Sequence, residues 1–466
     1  MTTERAGFPL GMALLVAGAF FMEILDATII TPAIPLIATS LGVEPVDVNV
    51  AITAYLVTVA VLIPATGWMT DRFGIRPVFI AAIAVFTLAS LGCAFSVSLP
   101  MLVAMRILQG IGGAMMVPVG RLAVLRYSDK ADRVRAIALL TWPALAAPVI
   151  APALGGAIAT VGSWRWIFLV NIPIGVVGFL LVLKLIRGGP ASAARPLDWR
   201  GMLALGGGIA AALIALESVR VTGTNWWQVA TGTAVAVVLL VLAVVHLLRT
   251  PHPLITLSVL RFRSLRITVT AGSLYRMVIT AVPFLLPLQF QLVFGWTPLR
   301  AGLMVAALFV GNLTIKPATT PLMRRFGIKR VLLVNGVLSV LWFALLAVLH
   351  PGLPIWLIAV ILYVSGALRS IGFTAYNTLA FADVVGDDLT HGNTLNASVQ
   401  ELASGVGIAV AALLISQLTP LVGGGPGAAY SATFLVLAAL LAVTLIETLR
   451  LPRNAGAEVS GTRIRR

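Results

Sequence analysis

The octapeptide MTDRFGIR at residues 69–76 has a counterpart in MRRFGIKR at residues 323–330, where DRFGIR at 71–76 aligns without a gap with RRFGIK at 324–329. Gly74 and Gly327 take equivalent places in the two copies, 253 residues apart. Six membrane helices with their loops need roughly 190 residues at about 20 residues per span. The spacing therefore predicts two similar six-helix halves, with room for two further helices between them. Such halves can rock about a central site.

The composition extends this prediction to the whole chain. Of its 466 residues, 59% are hydrophobic and 10% are charged, whereas soluble domains carry roughly 25% charged residues. Fourteen apolar runs are long enough to cross a bilayer as helices, among them 9–34, 47–69 and 392–418. Strands of a membrane barrel would instead alternate over about ten residues. The sequence predicts an all-α polytopic membrane protein with fourteen transmembrane helices.

These runs divide the chain into four parts. We expect an N-terminal six-helix bundle at 1–190, two inserted transmembrane helices at 191–250, a C-terminal six-helix bundle at 251–450 and a basic cytoplasmic tail at 451–466. The first run carries Glu23 and is longer than a signal-peptide core, so we expect it to be retained as a helix. Since both halves belong to one chain, we expect a monomer.

The basic residues indicate the side of the membrane on which each loop lies. The net charge of +16 could suggest a nucleic-acid partner, but arginine and lysine concentrate in alternate loops, as cytoplasmic loops do. Only Arg165, Arg220 and Arg300 fall in loops of the other side. The loop at Asp383 and Asp388 is an exception, since it belongs to the basic side but carries no basic residue. The pattern predicts cytoplasmic termini and no nucleic-acid partner.

Several kinds of chemistry find no support in the sequence. A GxxxxGK[ST] loop is absent, so the chain is not itself expected to be an ATP-driven pump. The four histidines show no metal-ligand spacing, and no nucleophile and base occur at a recognisable spacing. We therefore expect neither an enzyme nor a metal or cofactor site, and an ion gradient as the energy source.

Two carboxylates lie within the first apolar run. Glu23 and Asp26 are three residues apart and therefore share one face of a helix. A charge at mid-bilayer costs about 2.5 to 3.5 kcal/mol on insertion scales, so two close carboxylates cannot both ionise cheaply. One of them is expected to exchange a proton. The alternative for Asp26 is a fixed pairing with an arginine that only sets helix packing.

The second half carries an unusual set of charges. Arg276, Lys316 and Arg369 lie in the ninth, tenth and twelfth runs, and Glu401 in the thirteenth is the only obvious acidic partner. Three cations against one acid predict either an uncharged lysine or an anion that completes the site. We hypothesise an anionic or zwitterionic amphiphile as substrate. The alternative is that the arginines snorkel or bond to helix carbonyls.

Four stretches of the sequence resemble a known family. They are LDATIITPAIP at 25–35, GWMTDRFGIRP at 67–77, RILQGIGGAMMVPVGRL at 106–122 and SWRWIFLVNIPIG at 163–175. Through them the chain resembles, over nearly its whole length, the major facilitator superfamily. The resemblance is to its fourteen-span drug/proton antiporter branch, the QacA/EmrB type that includes MdtD-like proteins. It implies a multi-pass transporter of a bacterial inner membrane.

The resemblance also implies roles for charged residues within the membrane. Asp26 would be the proton-coupling carboxylate, with Glu23 beside it. Arg106 would attract this carboxylate in one conformation and release it in another. A stationary salt bridge is the alternative for Arg106.

The first copy of the repeated motif would act as a cytoplasmic latch that holds an outward-open state. Its members are Gly67, Asp71, Arg72, Gly74 and Arg76. We expect Gly67 to permit close helix approach and Gly74 to form a tight turn. Asp71 is expected to cap a helix end or to pair with an arginine. A solvated basic loop would account for the arginines but not for the glycines and the aspartate.

The fifth apolar run keeps part of a motif that the family associates with export. Pro148, Pro152, Gly155 and Gly156 are present, while alanines replace the earlier glycines of the motif. The prolines and glycines predict a kinked, closely packed helix.

Further polar and aromatic residues complete a candidate substrate cavity between the halves. Beside Arg276, Lys316, Arg369 and Glu401, this cavity would contain Asn377, Gln289, Trp142 and Tyr275. Each polar group could instead make only a helix–helix hydrogen bond.

These features predict a proton-coupled secondary transporter that exports drugs or amphiphilic small molecules by antiport. Its partners would be the substrate, protons and membrane lipids. One alternative is a lipid, anionic-metabolite or other small-molecule carrier that works by symport or uniport on the same fold. Another is a membrane sensor that has lost transport.

Overall fold

A computed structural model describes residues 10–127, 133–186, 196–219, 225–384, 388–423, 425–452 and 456. Every regular element in these ranges is helical. This follows from the bilayer, where helices satisfy their own backbone hydrogen bonds without water.

Six membrane helices form the N-terminal half. They are α1 (Leu10–Leu41), α2 (Asn49–Leu62 and Ala65–Phe73), α3 (Ile75–Ala94), α4 (Leu99–Tyr127), α5 (Arg133–Val161) and α6 (Trp166–Leu185). Two inserted helices follow, α7 (Trp199–Glu217) and α8 (Trp226–Arg249).

Six further helices form the C-terminal half. They are α9 (Arg263–Val293), α10 (Pro298–Thr314 and Lys316–Phe326), α11 (Ile328–Leu346), α12 (Ile355–Ala380), α13 (Asp388–Leu421) and α14 (Pro426–Leu449).

The number of spans agrees with the sequence prediction. Within the described residues, eleven helices are long and apolar enough to cross a membrane, and the bent pairs α2 and α10 raise the number to thirteen. The helix α5, with its apolar part Leu145–Val161, is the fourteenth. The fold class with fourteen spans is therefore confirmed, although α1 and α13 extend beyond their predicted ends. In α1 the helix continues to Gly42, whose φ of 67° closes it.

The second helix of each half bends at a proline. The two segments of α2 meet at 60° after Pro64, and those of α10 meet at 47° beside Pro317. Proline removes a backbone donor and clashes with the preceding turn, which kinks a helix. Pro64 and Pro317 are 253 residues apart, the spacing of the repeated octapeptide. The internal repeat therefore extends to helix geometry.

From the ends of the apolar runs, the sequence predicts that both copies of the octapeptide lie in loops, and this prediction was wrong. Residues up to Phe73 belong to α2, and residues up to Phe326 belong to α10, because neither copy contains a helix breaker before its glycine. Only Gly74 and Gly327 connect the helices, with φ of 85° and 79°. These positive values favour glycine, so the tight turn predicted at Gly74 is confirmed.

A basic side chain just after each of these glycines ties two helices of its half together. The Arg76 guanidinium donates to the carbonyl of Leu183, at 2.9 Å, near the end of α6. The equivalent Lys329 donates to the carbonyl of Leu449, at 2.8 Å, at the end of α14, and also to that of Leu451. A cation near a helix C-terminus satisfies free carbonyls there. The third helix of each half is thus fixed to the sixth.

The two halves are joined near one side of the membrane. We call the side that carries Gly74 and Gly327 the basic face and the other the opposite face. Towards the opposite face α5 crosses α10, where a Cβ on Gly156 would lie 2.4 Å from the Pro298 carbonyl oxygen.

Further contacts continue this junction of the halves. A Cβ on Gly155 would lie 2.1 Å from the carbonyl oxygen of Ile29 in α1. The halves also meet where α2 packs on α13. There the Thr53 hydroxyl donates to the Gly405 carbonyl at 3.5 Å. The close packing predicted for α5 is confirmed, while a kink in it stays a prediction.

The inserted helices are anchored by one carboxylate. The α7 helix packs against α8 and also against α2 and α13. Asp198 caps α7 and accepts hydrogen bonds from the backbone N–H groups of Gly201 at 2.9 Å and Leu254 at 3.0 Å, and contacts the His246 ring at 2.7 Å. Partial burial acts to raise the pKa of Asp198, but these hydrogen bonds outweigh it and hold the pKa below its usual value.

The acidic loop that lacked basic residues lies beside a loop that has them. Asp388 forms an ion pair with Arg261 at 2.6 Å, and Asp383 accepts a hydrogen bond from the Ser264 N–H at 3.2 Å. The charge of this loop is therefore compensated between loops on the same face.

Close helix packing in the C-terminal half yields a first prediction. A Cβ on Gly366 would lie 1.7 Å from the Leu308 carbonyl oxygen, so Gly366→Ala must push α12 away from α10. We expect a loss of about 1–3 kcal/mol of stability, measured as a lower thermal midpoint of the purified protein. Gly18→Ala in α1 is the control, since its Cβ would meet no atom within 4 Å. A Gly366→Ala protein as stable as the Gly18→Ala protein would contradict the packing described.

Candidate functional site

Asp26 is the centre of a buried polar network in the N-terminal half. Its side chain is fully buried. One carboxylate oxygen accepts a hydrogen bond from the Arg106 guanidinium at 2.5 Å. The other accepts from the amides of Asn171 at 2.7 Å and Gln109 at 2.9 Å. Three helices, α1, α4 and α6, therefore meet at one carboxylate.

Arg106 is held by more than its ion pair. Its guanidinium also donates to the Gln109 side-chain oxygen at 2.7 Å and to the Ala51 carbonyl at 3.4 Å. It lies 4.3 Å from the ring centre of Tyr55 in α2, a cation–π contact. The predicted pairing of Arg106 with Asp26 is present in this structure.

The sequence did not single out two residues that complete this network. The Ser90 hydroxyl accepts from Gln109 at 2.8 Å and from Asn171 at 3.4 Å. The Cys93 thiol lies 3.6 Å from the Gln109 side-chain oxygen. Asn171 could have been found, because an amide inside the apolar run IFLVNIPIG needs a partner. Ser90 and Cys93 carry no such signal.

Glu23 occupies a different environment from Asp26. One of its carboxylate oxygens is buried with no hydrogen-bond partner among the described residues. The charges that act on it are those of Glu401 in the other half and Asp26 on its own helix. Glu23 therefore faces the C-terminal half, whereas Asp26 is enclosed by its own half.

The cationic residues of the second half gather around an aromatic ring. Arg276 lies 4.6 Å and Lys316 5.9 Å from the ring centre of Phe373. Arg276 also donates to the Ser404 hydroxyl at 2.8 Å and lies 3.8 Å from the Glu401 carboxylate. The structure therefore brings cations of α9 and α10 to one side chain of α12.

Arg369 belongs to the same group of charges. It lies within electrostatic range of both Arg276 and Lys316, and 5.3 Å from the ring centre of Phe309. One guanidinium nitrogen of Arg369 is buried and has no hydrogen-bond partner among the described residues. We call Arg276, Lys316 and Arg369 the cationic cluster.

The other residues predicted for the substrate cavity do not line one common cavity with the whole cationic cluster in this structure. The Tyr275 hydroxyl donates to the Leu368 carbonyl at 3.0 Å inside the C-terminal half, where it borders a narrow cavity with Arg369. Gln289 is buried in the last turns of α9, and Trp142 is 67% exposed on α5.

Asn377 makes helix–helix hydrogen bonds, which was the alternative to a role in the cavity. Its side-chain oxygen accepts from the Gln400 amide at 2.7 Å and from the Asn396 amide at 3.4 Å. It therefore joins α12 to α13 by helix–helix hydrogen bonds.

At the basic face, part of the repeated motif is exposed in this structure. Asp71 and Arg72 are exposed in α2, and a Cβ on Gly67 would meet no atom within 4 Å. The predicted cap by Asp71 was wrong for α3, because Gly74 stands at that helix end without a side-chain bond. The close approach predicted at Gly67 is not made in this arrangement.

The family model of the Major Facilitator Superfamily matches residues 16–407 and 271–463. The first match alone covers more than half of the chain and includes both halves of the fold. The chain belongs to the Major Facilitator Superfamily. It is a multi-pass membrane transporter and not an enzyme, as the resemblance implied.

Close relatives within this superfamily cover the whole length of the chain. It is 34% identical over 460 residues to the putative multidrug resistance protein MdtD of Escherichia coli O6:H1, covering 97% of each chain. It is 35% identical over 444 residues to the protein of the same name from Pectobacterium carotovorum, covering 94% of this chain and 95% of that one. The MdtD-like resemblance is confirmed.

Solved structures of the superfamily show the same fold. The nucleoside transporter NupG matches with a TM-score of 0.67 and 13% identity, over 95% of this chain and 99% of that one. A D-xylose-proton symporter matches with a TM-score of 0.64 and 15% identity, over 97% and 99%. At such low identity these likenesses establish the fold alone.

The Asp26 network yields a second prediction. Asn171→Leu removes a donor to the buried carboxylate and should cost about 1–3 kcal/mol of stability, read as a lower thermal midpoint. In an Asp26→Asn background the same substitution should cost less than half as much, because its charged partner is gone. Asn377→Leu, which alters an amide of the other half, is the control and should combine additively with Asp26→Asn. Additive effects of Asn171→Leu would contradict the network.

Proposed function

We propose that this chain exports drugs or other amphiphilic small molecules in exchange for protons, by alternating access of its two halves. The observation that carries the proposal is the pair of carboxylates on α1. Asp26 forms a buried ion pair with Arg106, whereas one oxygen of Glu23 is buried with no hydrogen-bond partner among the described residues, and Glu23 is close enough to Glu401 of the other half to be influenced by its charge. The names of the MdtD relatives support multidrug export as the task.

The difference between the two carboxylates suggests how a proton is carried. An ionised carboxylate that is buried without a cation or donor is costly, and such a group takes up a proton instead. Since one oxygen of Glu23 is buried without a partner among the described residues, we expect Glu23 to be the member of the pair that holds a proton in this arrangement. When rocking separates Arg106 from Asp26, the Asp26 carboxylate loses its charge partner and becomes the acceptor of the next proton.

The charge pattern assigns the conformation. The basic face is cytoplasmic by the positive-inside rule, with both termini on that side. Since the halves are joined towards the opposite face, this arrangement is the inward-open one. In the outward-open state the basic face would close, and the open space beside Gly67 would be filled by a helix of the other half. Asp71 and Arg72 would then gain partners, which gives the motif its role as a latch.

Proton movement gives the third prediction. Addition of substrate to proteoliposomes that hold the wild-type transporter should release protons, detected with a pH-sensitive dye. In Asp26→Asn the release should fall at least about tenfold, since a neutral side chain cannot exchange the proton. Asp388→Asn, which alters a surface carboxylate paired with Arg261, is the control and should release protons as the wild type does. Unchanged release in Asp26→Asn would reject Asp26 as the coupling group.

Other results of this experiment distinguish the rival functions. Substrate uptake with proton movement in the same direction would indicate a symporter. Transport without any proton movement would indicate a uniporter, and saturable binding without transport would indicate a sensor.

The cationic cluster favours an anionic or zwitterionic substrate. Of its three cations Arg276 lies near a carboxylate, that of Glu401, and one donor of Arg369 has no hydrogen-bond partner among the described residues. An uncompensated excess of positive charge in a poorly solvated site is costly, and an anion that enters between the helices would balance it. Phe373 offers an apolar surface to the rest of such a molecule. The carrier of anionic metabolites or lipids is the second candidate function on this ground.

Matched dyes give the fourth prediction. Fluorescein is an anionic xanthene dye and rhodamine 6G is a cationic one. Arg369→Gln should lower fluorescein export by about tenfold, the effect of roughly 1.4 kcal/mol, and should leave rhodamine 6G export unchanged. Arg300→Gln, which alters an arginine stacked on Trp296 at the opposite face, should change neither. Equal loss of both dyes in Arg369→Gln would reject the charge preference and indicate a structural role.

A further inference from the structure

A cavity of about 460 Å³ opens at the opposite face, away from the carboxylates and the cationic cluster. Three parts of the chain surround it. The N-terminal half contributes the segment from Glu44 to Asn49 at the start of α2. Leu216 at the end of α7 and Val219 just after it form a second part, and the last turns of α13 in the C-terminal half form the third. A volume of this size lies in the range of small-molecule sites.

The polar groups of this cavity are acceptors. Glu44 and Asp47 are the acidic residues that line it, and one carboxylate oxygen of Asp47 accepts from the Glu44 backbone N–H at 3.2 Å. Asn49 also borders the cavity and is only 2% exposed. Its amide nitrogen donates to the Val46 carbonyl at 2.6 Å, but its side-chain oxygen has no partner among the described residues. A buried acceptor without a donor is unfavourable until a ligand supplies one.

Among the described residues that line the cavity the charged ones are acidic, and part of its walls is apolar. Residues of α13, including Ala409, Leu413 and Ile415, form one wall. Two arginines predicted for this face are engaged elsewhere, Arg165 stacked on Trp164 and Arg300 on Trp296. Arg220 lies outside the described residues.

The combination of acceptors, negative charge and apolar walls selects an amphiphilic cation. A primary alkylammonium fits these features, because its N–H groups can bond to Asn49 and a carboxylate while its chain lies against α13. A quaternary ammonium has the charge but no donor for Asn49.

The cavity exists only while the halves are together at this face. Asn49 belongs to α2 and Ala409 to α13, the two helices whose packing joins the halves. The Gln417 amide of α13 donates to the Val219 carbonyl at 3.3 Å, which fixes the end of α7 beside the cavity. Opening of the opposite face would move α2 away from α13 and divide the site. A ligand that binds one state only shifts the population towards that state.

We propose that this cavity binds a primary alkylammonium and that the bound cation keeps the two halves closed at the opposite face. The site is separate from the transport site, so it does not depend on the proposed export of drugs. It gives the inserted helix α7 a role, as a wall that turns the α2–α13 junction into a pocket.

The fifth prediction concerns binding, measured by calorimetry on the full chain in lipid nanodiscs, with empty nanodiscs to subtract partition into lipid. Octylammonium should bind saturably, and octyltrimethylammonium at least about tenfold more weakly. Glu44→Gln should weaken octylammonium binding about tenfold, and Thr419→Trp, which fills the rim from the exposed end of α13, should abolish it. Asp388→Asn, which alters a carboxylate at the basic face, should leave it unchanged.

Two results would overturn the binding site. One is the absence of saturable octylammonium binding to the wild type. The other is binding that survives both Glu44→Gln and Thr419→Trp, which would place the cation elsewhere. Binding lost in Asp26→Asn but kept in Glu44→Gln would assign it to the transport site.

The effect on conformation is measured with spin labels. Val97→Cys and Val348→Cys place labels on exposed positions of the two halves at the opposite face, and Cys93→Ser removes the native thiol. A Gly156→Ala background, in which the new Cβ crowds Pro298, should open this face. Octylammonium should then restore the short distance, and should fail to do so when Glu44→Gln is added. An unchanged or longer distance would reject the closing effect.

Discussion

The ion pair between Asp26 and Arg106 is the interaction on which the N-terminal half depends. Both side chains are fully buried. The free-energy cost of taking two charges out of water is offset only when the ion pair has good geometry and additional hydrogen bonds. The chain supplies those bonds from α3, α4 and α6 through Ser90, Gln109 and Asn171. Loss of one partner would leave a charge uncompensated in a medium that cannot hydrate it. Three helices of the half, α1, α4 and α6, therefore meet at one carboxylate, and α3 joins them through Ser90.

The two halves share an architecture but not a charge distribution. The proline bend, the glycine turn and the cation that bonds to the end of the sixth helix recur at the same 253-residue spacing. The buried charges do not recur. The first half presents two acids and one arginine, and the second presents three cations and Glu401. A repeat fixes how helices pack, whereas the residues on the facing surfaces are free to differ.

Much of the fold could be predicted because bilayer thickness sets the length of each apolar run. The pairing of Asp26 with Arg106 could also be predicted, since a charge inside the membrane needs a partner and few are present. The rotation of a helix about its axis could not, because apolar residues surround most of these helices. For that reason Asn377 was expected in the substrate cavity but bonds to α13 within its own half. The cavity at the opposite face is lined by three segments that are distant in the sequence, and no local sequence pattern predicts it.

Because of its position, the reactivity of the Cys93 thiol can report on the Asp26 network. The chain has a single thiol, it is buried, and it touches Gln109 rather than solvent. A thiol reagent reaches it only when water reaches the groups around Asp26, since reaction needs the exposed thiolate. The rate at which Cys93 of the unmodified protein is alkylated then measures the opening of this network. The sequence provides that reporter without any engineered label.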